Sequence, residues 1–472
     1  MRRQVDMAGG ISTSRTRRIA QMGRLAGGQG ARHLAIRATN FTRTEEQQLK
    51  LLERRQLDFA EQLVNLLGTM RGAAMKLGQS LSIVDFGLVP ESHREQFQQK
   101  LAALQDRAPN VPWRKMQRQL ESGLQDRIDN VFESFDQTPV GAASIGQVYK
   151  ARLHTGQAVA VKVQYPGIAT AVRSDIKNLR MFAKPAQAVI PGIDLESIIA
   201  EVEERVYEEL DYELEAQNHR LFARHYRGHP FIRVPEVHTE LCSDTVLVTD
   251  WLDGQPLNAA ESLDQDARNR VAEIIFRFYI GGPFELLAFS GDPHPGNSLL
   301  LADGTVGFID FGLLKRIDHA TAELERRGGR AIANEDIAEI IDCFAEQKIV
   351  FDRERISDEL LLDALLKTEG WFLEDDEIEL TPELTNLIAA YATDLRGPVY
   401  RIFKHQQLPP AHMVQRRVEI QVLSILGQLR PIVNWHRIAR EWLFGDPPQT
   451  ELGRQARQWR ENGRNDAVPT AA

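Results

Sequence analysis

Apolar residues recur at three- and four-residue spacing in the first part of the chain, a pattern typical of amphipathic α-helices. The stretch LLERRQLDFAEQLVNLLGTMRGAAMKLGQSLS, beginning at Leu51, has this spacing, and ESHREQFQQKLAALQD resumes it after Pro90. The pattern predicts a helical domain over residues 44–130.

The pattern changes to that of strands near Phe132. QVYKARL and AVAVKVQY are rich in β-branched and aromatic residues, and the intervening HTG contains a glycine that suits a tight hairpin turn. TVLVTDWLDG reads as a further strand that runs into a glycine turn. These stretches together predict a small antiparallel sheet.

Helices dominate the rest of the chain. DLESIIAEVEERVYEELDYELEAQNHRLFARHY reads as one acidic helix, and nearly everything after Asp264 reads as helical except around residues 299–311. Protein kinases share this order of a small sheet, one helix, a hinge and a helical lobe. We therefore predict an α+β, bilobal protein kinase-like fold with a helical N-terminal extension. The predicted divisions are a basic N-terminal tail (1–43), the helical extension (44–130), the N-lobe (131–252), the helical C-lobe (253–446) and a polar C-terminal tail (447–472).

Composition narrows the classes of function. The net charge of −9, without a basic stretch interleaved with aromatic residues, argues against nucleic-acid binding. Cys242 and Cys343 lie far apart with no metal-binding spacing, which fits a reducing cytosol better than a disulfide framework or a zinc site. No run approaches the roughly 18 apolar residues that span a bilayer. We expect a cytoplasmic protein, either soluble or peripheral to a membrane.

The first residues differ in charge from the rest. MRRQVDMAGGISTSRTRRIAQMGRLAGGQGARHLAIR contains eight arginines and one acid, Asp6. Three interpretations remain open: a solvated tail, a surface that touches anionic lipid, and a mitochondrial presequence. An anionic membrane surface is therefore one candidate partner.

Two stretches contain Asp-Phe-Gly, the tripeptide with which protein kinases hold magnesium against ATP. Asp85 in VDFGLVP follows a helical pattern and precedes any predicted sheet, whereas Asp310 in VGFIDFGLL ends an apolar strand. Asp310 also follows GDPHPGN, where Asp292 and Asn297 have the separation of the catalytic aspartate and the magnesium-binding asparagine of HRDxxxxN. We assign magnesium to Asn297 and Asp310 and give Asp85 no metal.

Nucleotide binding is predicted from the sheet region. VGAASIGQV places small residues where a kinase glycine-rich loop needs close approach of backbone N–H groups to phosphates. Lys162 in VAVKV, fourteen residues after Val148, is expected to meet the phosphates of ATP, with Glu215 as its carboxylate partner. The other predicted nucleotide contacts, in the loop and the hinge, are Gly141, Ala142, Ala143, Ser144, Gly146, Val148, Asp250 and Leu252.

These motifs also resemble a known family. KLGQ, GAASIGQV, ELDYELEA, GDPHPGN and IDFG together closely resemble the UbiB/AarF family of atypical kinases, also called the activity-of-bc-one-complex family. The resemblance covers roughly residues 45–314. It implies a kinase-like fold, ATP and magnesium as cofactors, and an ATPase activity linked in several members to isoprenoid-quinone biosynthesis or lipid homeostasis. It also implies that Lys162 and Glu215 form the ion pair and that Asp292 is the catalytic-loop aspartate.

The resemblance assigns roles to four further residues. Lys76 and Gln79 look like the signature pair of the extension, with Lys76 also acting in catalysis, and Glu209 and Asp211 look like the paired regulatory acids. Lys76 and Gln79 share a helix face, whereas Glu209 and Asp211 are expected to point to different sides of their helix. Gly141 and Gly146 stand where the family typically has alanine, a change toward an ordinary kinase loop.

The sequence after Asp310 argues against a conventional protein kinase. No Ala-Pro-Glu follows, and the chain turns helical within about ten residues, which leaves no room for a peptide-docking activation segment. The leading interpretation is an atypical kinase or ATPase that acts on, or is driven by, a lipophilic small molecule. Two alternatives remain open: a small-molecule phosphotransferase of the aminoglycoside-kinase type, and a nucleotide-binding pseudokinase scaffold without turnover.

Overall fold

A computed structural model describes residues 111–143, 145–187, 195–347, 349, 356–393, 397–403 and 410–463. They form two compact units. The first contains the described residues up to Ala216 together with His238–Asp250, and the second contains Gln217–Val237 together with the described residues from Trp251 onward. Most of the predicted extension, including the KLGQ motif and Asp85, lies outside the described residues.

The first unit contains the predicted antiparallel sheet. Two helices precede it, α1 (Trp113–Leu124) and α2 (Ile128–Val131). Its strands are β1 (Phe132–Phe135), β2 (Gly141–Ala142), β3 (Gly146–Leu153), β4 (Ala158–Gln164) and β6 (Val246–Asp250). The sheet order is β1-β3-β4-β6, with β2 paired to β3, and every pairing is antiparallel. The predicted hairpin joins β3 to β4, and Gly156 in its turn has φ +86°, a conformation that glycine adopts readily.

Helix α3 (Ile168–Gln187) follows β4. The acidic stretch predicted as one helix, residues 194–226, forms two helices instead, α4 (Leu195–Glu209) and α5 (Tyr212–His225). The prediction of one helix was wrong at residues 210–211, where Asp211 accepts a hydrogen bond from Leu214 N at 3.0 Å and begins α5. An aspartate at this position satisfies a backbone N–H that has no partner within the new helix. The boundary between the two units falls within α5, after Ala216.

The second unit contains more strand than predicted. Its strands are β5 (Ile232–Arg233), β7 (Gly254–Pro256), β8 (Ala288–Ser290), β9 (Ser298–Leu301), β10 (Val306–Phe308), β11 (Leu314–Arg316), β12 (Ile378–Glu379) and β13 (Ile432–Val433). Four of them form a sheet in the order β5-β10-β9-β7, with β5 parallel to β10. Two short pairs, β8–β11 and β12–β13, accompany it. Strands of two or three residues are too short to show an alternating pattern, so the prediction of strand only around 299–311 was incomplete.

Helices form most of the second unit, as predicted. They surround a core of large aromatic side chains that includes Phe276, Phe308, Phe311 and Trp435. The helices are α6 (Gln265–Phe276), α7 (Gly282–Leu286), α8 (His319–Ala333), α9 (Ile337–Glu346), α10 (Asp358–Leu373), α11 (Pro382–Thr393), α12 (Pro398–Phe403), α13 (Pro410–Leu429), α14 (Trp435–Leu443) and α15 (Glu451–Gly463). A π-helical turn, Arg277–Gly281, connects α6 to α7.

The C-terminal segment is not simply a polar tail. Within the predicted tail from residue 447, helix α15 buries Leu452 and Ala456, and Trp459 donates to Arg227 O at 3.2 Å. These three residues recur at helical spacing, which gives an otherwise charged segment one packing face. Among the described residues, none of the helices combines the length and the apolar content that crossing a membrane requires.

Candidate active site

Lys162 and Glu215 form a buried ion pair in the first unit. Lys162 Nζ lies 2.7 Å from Glu215 Oε1 and 2.9 Å from Oε2, and the Glu215 side chain is 2% exposed. The ammonium group also lies 5.0 Å from the centre of the Tyr212 ring. Each of these charges stabilises the other, because loss of either partner would leave a buried charge without compensation. The predicted pairing is present, and its role toward a nucleotide stays a prediction.

Gln164 fixes the start of the helix that carries Glu215. Its side-chain amide nitrogen donates to Leu210 O at 2.9 Å and to Asp244 O at 3.0 Å, and Tyr212 N donates to Asp244 O at 3.2 Å. Gln164 and Lys162 are two residues apart on β4, so their side chains leave the same face of the sheet. Sequence reasoning missed Gln164 because its partners are distant backbone carbonyls.

The small-residue loop is a tight hairpin. Gly141 pairs with Val148, Ala142 pairs with Gln147, and Ala143 N donates to Gly146 O at 2.9 Å. Gly141 and Ala142 are exposed, and Ser144 lies outside the described residues. The loop thus leaves Gly141 and Ala142 accessible at the surface of the first unit.

Gly146 is surrounded differently from Gly141. A methyl group at Gly146 would lie 2.4 Å from Val163 O and 2.8 Å from the Tyr212 hydroxyl, whereas one at Gly141 would meet nothing within 4 Å. The absence of a side chain at Gly146 therefore allows β3 to pack closely against β4 and α5. This packing reason holds whether or not a phosphate approaches the loop.

The two predicted hinge residues belong to different units. Asp250 Oδ1 lies 2.8 Å from His238 Nε2 and accepts a hydrogen bond from Gln157 Nε2 at 2.5 Å. Leu252 packs against the backbone of β10, since a methyl group at Gly307 would lie 2.7 Å from Leu252 Cδ1. Their nucleotide contacts stay predictions, and the Asp250 side chain already has partners within the protein.

Glu209 and Asp211 are not on opposite sides of one helix, as the sequence had suggested. Glu209 ends α4, and Asp211 lies outside both helices with its carboxylate bonded to Leu214 N. Asp211 therefore has a local capping role in the first unit. Lys76 and Gln79, the other proposed regulatory residues, lie outside the described residues.

The GDPHPGN loop is held against the Asp-Phe-Gly segment within the second unit. Strand β8 before the loop pairs with β11, and strand β9 after it pairs with β10. Gly291 N donates to Leu313 O at 2.8 Å, and Ile309 N donates to Asn297 O at 3.1 Å. Backbone hydrogen bonds at both ends therefore hold Asn297 beside the residue that precedes Asp310.

The donor set in this loop fits magnesium. The side-chain nitrogen of Asn297 donates to Asp292 O at 3.0 Å, so the amide oxygen is the atom that Asn297 can offer a cation. Gly312 N donates to Asp310 Oδ1 at 3.0 Å and orients that carboxylate. Magnesium takes hard oxygen ligands, commonly one or two from the protein with waters and phosphates completing its shell. Among the described residues, no group of three or more His, Cys, Asp or Glu could hold a metal ion.

Tyr279 is a residue near this loop that the sequence did not reveal. Burial raises the pKa of its phenol well above the usual range, a hydrogen bond with Ser298 lowers it, and the carboxylates of Asp292 and Asp310 raise it again. The charges of Asp292 and Asp310 thus both raise the pKa of the same buried hydroxyl. Tyr279 belongs to the π-helical turn, a geometry frequent at functional sites that the apolar pattern of its sequence does not signal.

Phe311 of Asp-Phe-Gly is part of the core of the second unit. Its ring lies 4.6 Å from that of Phe222 and 4.7 Å from that of His219, measured between centres, and it is 1% exposed. Asn218 donates to Phe311 O at 3.2 Å. The backbone following Asp310 is therefore fixed by both packing and hydrogen bonding.

Comparisons with known proteins place the chain in a family. A family model of the ABC1 atypical kinase-like domain matches residues 103–344. The chain is 35% identical over 254 residues to "Atypical kinase COQ8B, mitochondrial" of Rattus norvegicus, covering 54% of this chain and 47% of that protein. It is 32% identical over 292 residues to "Protein ACTIVITY OF BC1 COMPLEX KINASE 1, chloroplastic" of Arabidopsis thaliana, covering 60% and 42%.

The solved structures that are similar to this chain include one that matches most of its length. It is the complex of Rv3197 with erythromycin from Mycobacterium tuberculosis, with a TM-score of 0.63 and 29% sequence identity, covering 85% of this chain and 100% of that one. The chain spans about half or less of the length of the two curated relatives. The predicted α+β, kinase-like fold is confirmed. The chain belongs to the UbiB/ABC1 family of atypical kinases.

Proposed function

We propose that this chain is an atypical kinase or ATPase that binds Mg-ATP. The observation that carries the proposal is the buried pair of Lys162 and Glu215, because a lysine held by a carboxylate is poised to receive an anion such as the phosphates of ATP. In the second unit, Asn297 and Asp310 supply the oxygen ligands that magnesium prefers.

Asp292 is the proposed catalytic residue. A carboxylate in a loop held by backbone hydrogen bonds can orient an attacking hydroxyl or water and accept its proton. Bound magnesium would neutralise charge that develops on the transferred phosphoryl group. Lys76, Gln79, Glu209 and Asp211 remain proposed regulators, on the family resemblance alone.

A lipophilic small molecule is the proposed partner. The family resemblance supports an isoprenoid-quinone or lipid pathway, and the solved relative in complex with erythromycin shows that a protein of similar fold binds a small molecule. The arginine-rich first residues support a peripheral location on an anionic membrane surface. The leading alternative, phosphate transfer to a soluble small molecule, differs in where the phosphate goes.

ATP hydrolysis tests the proposal. The purified protein should hydrolyse ATP slowly with magnesium, and phospholipid with quinone-like or phenolic additives should change the rate. Labelled phosphate on a small molecule would favour the phosphotransferase instead. Binding of Mg-ATP with no turnover under any condition would contradict the proposal and favour a scaffold.

Asp310→Asn tests the choice of metal ligand. It should remove most of the thermal stabilisation by Mg-ATP, because it deletes a carboxylate ligand from a hard cation. Asp303→Asn is a matched control, since Asp303 is an exposed acid in the turn between β9 and β10. Asp85→Asn should also behave as wild type, and equal losses in the Asp85 and Asp310 variants would overturn the assignment.

A further inference from the structure

Arg417 on helix α13 contacts the GDPHPGN loop. Its guanidinium Nη2 donates to Gly291 O at 2.8 Å, across 126 residues of sequence. Val414, one turn earlier on α13, lies against the same residue, since a methyl group at Gly291 would be 3.2 Å from Val414 Cγ1. Helix α13 thus packs directly on the residue before Asp292.

Side-chain donors hold the peptide groups on both sides of Asp292. Arg417 holds the carbonyl of Gly291, and Asn297 holds the carbonyl of Asp292 itself at 3.0 Å. Gly291 N is bonded to Leu313 O. Residues 292–294 lie outside regular helix and strand, so these three bonds help to fix the backbone at Asp292. Of the three, only the bond from Arg417 has a charged donor, and such bonds are shorter and stronger than neutral ones.

The neighbouring arginine has a separate set of partners. Arg416 pairs with Glu369 at 2.7 Å, with Glu419 at 2.8 Å and with Glu325 at 3.3 Å, so it connects α13 to α10 and α8. Arg417 bonds instead to the loop. Ser290 and Gly291 occupy the positions that His and Arg hold in HRD.

We infer that Arg417 is a positioning residue for Asp292. The inference rests on the proposed function, since it assumes that Asp292 takes part in phosphoryl transfer. Without the guanidinium, the peptide between Gly291 and Asp292 can rotate, and the Asp292 carboxylate loses its fixed place. Misplacement of a reacting group by about 1 Å can slow chemistry by roughly 10²-fold. ATP binding should change little, because the predicted nucleotide contacts are other residues.

The test uses the full chain with Arg417→Gln and Arg417→Lys. Arg417→Gln should lower kcat for ATP hydrolysis by about 10²-fold with KM for ATP within about threefold of wild type. Arg417→Lys, which keeps the charge and one donor, should recover part of the loss. Hydrogen exchange of peptides that cover residues 289–300 should be at least about tenfold faster in Arg417→Gln, as expected where a hydrogen-bonded segment opens locally.

Arg437→Gln is the control, because Arg437 forms an exposed ion pair with Asp375 in the same unit. It should match wild type in kcat and in exchange of the loop. A wild-type kcat in Arg417→Gln, or unchanged loop exchange, would overturn the inference while leaving the proposed function standing. Absence of ATP hydrolysis by wild type overturns the proposed function, and this inference with it.

Discussion

Two glycines of one loop differ in what surrounds them. Gly146 lies against Val163 O and the Tyr212 hydroxyl, and Gly141 has open space where a side chain would extend. The family resemblance expects alanine at both positions. Only Gly141 has room for one without movement of its neighbours.

Gly146→Ala should therefore lower the free energy of unfolding of the first unit. Overpacking of a tight site typically costs about 1–3 kcal/mol, and here the nearest atom is backbone, which cannot swing aside. Gly141→Ala, the matched control, should change stability by less than about 1 kcal/mol. Urea unfolding gives the change in stability for each variant. Hydrogen exchange of β3 and β4 shows whether that change lies in the first unit. Similar losses for the two variants would contradict the close-packing explanation.

The sequence identified the residues of the motifs, but it did not identify the residues whose hydrogen bonds hold those motifs in place. Spacing alone singled out Lys162, Asp292, Asn297 and Asp310, because such motifs have fixed separations along the chain. Arg417 reaches Gly291 across 126 residues, and Gln164 reaches Asp244 across 80. No local pattern marks such contacts, since a single polar residue in a helix or strand is usually solvated.

At the scale of elements, the break between α4 and α5 matters most. It escaped prediction because residues 210–211 contain neither proline nor glycine and the apolar spacing continues across them. The break allows a new helix to begin at Tyr212, three residues after Glu209, and Glu215 lies in the first turn of α5. The hairpin of β3 and β4, with strong alternation and a turn glycine, was by contrast predicted correctly.

Gln164→Leu should loosen this junction. It removes the donor that serves the carbonyls of Leu210 and Asp244, and each buried carbonyl left short of a partner costs about 1–3 kcal/mol. We expect a loss of about 2–4 kcal/mol in the first unit and weaker stabilisation by Mg-ATP, because Glu215 loses its fixed place. Gln157→Leu is the control for the loss of stability, since Gln157 is an exposed residue just before the same strand. Equal effects in both variants would rule out a special role for Gln164.

At the scale of the whole molecule, two buried histidines make stability depend on pH. Burial, together with nearby charged groups, lowers the pKa of His229 to about 3. Its Nδ1 accepts a hydrogen bond from Ile232 N at 3.1 Å, which requires that this nitrogen carry no proton. Burial also lowers the pKa of His225 to about 4. The groups that contribute to the lowered pKa of His229 are His225, Arg460, Arg233 and Arg277.

The second unit should therefore lose stability as pH falls below about 6.5, the ordinary pKa of an unfolded histidine. A group with a lowered folded-state pKa stabilises fully above 6.5, and that contribution declines as pH falls toward the folded-state value. Each histidine contributes a slope of about 1.4 kcal/mol per pH unit in this window. Urea midpoints at pH 7.5, 6.5 and 5.5 measure it.

His229→Asn isolates the contribution of one histidine. Asparagine can still accept the bond from Ile232 N and does not titrate, so the pH dependence should flatten by about 1.4 kcal/mol per pH unit. His319→Asn, at an exposed position, should retain the wild-type slope. Identical slopes for wild type and His229→Asn would show that other groups cause the acid sensitivity.

The division of the chain into units has a consequence for its synthesis. The chain passes from one unit to the other three times, after Ala216, Val237 and Asp250. Strand β4 pairs with β3 on one side and with β6 on the other, and β6 is made only after Gln217–Val237 has been made. At about 5–20 residues per second, β4 emerges from the ribosome several seconds before its second partner. During that interval a largely apolar strand has an open edge, which makes the nascent first unit a substrate for chaperones and a starting point for aggregation.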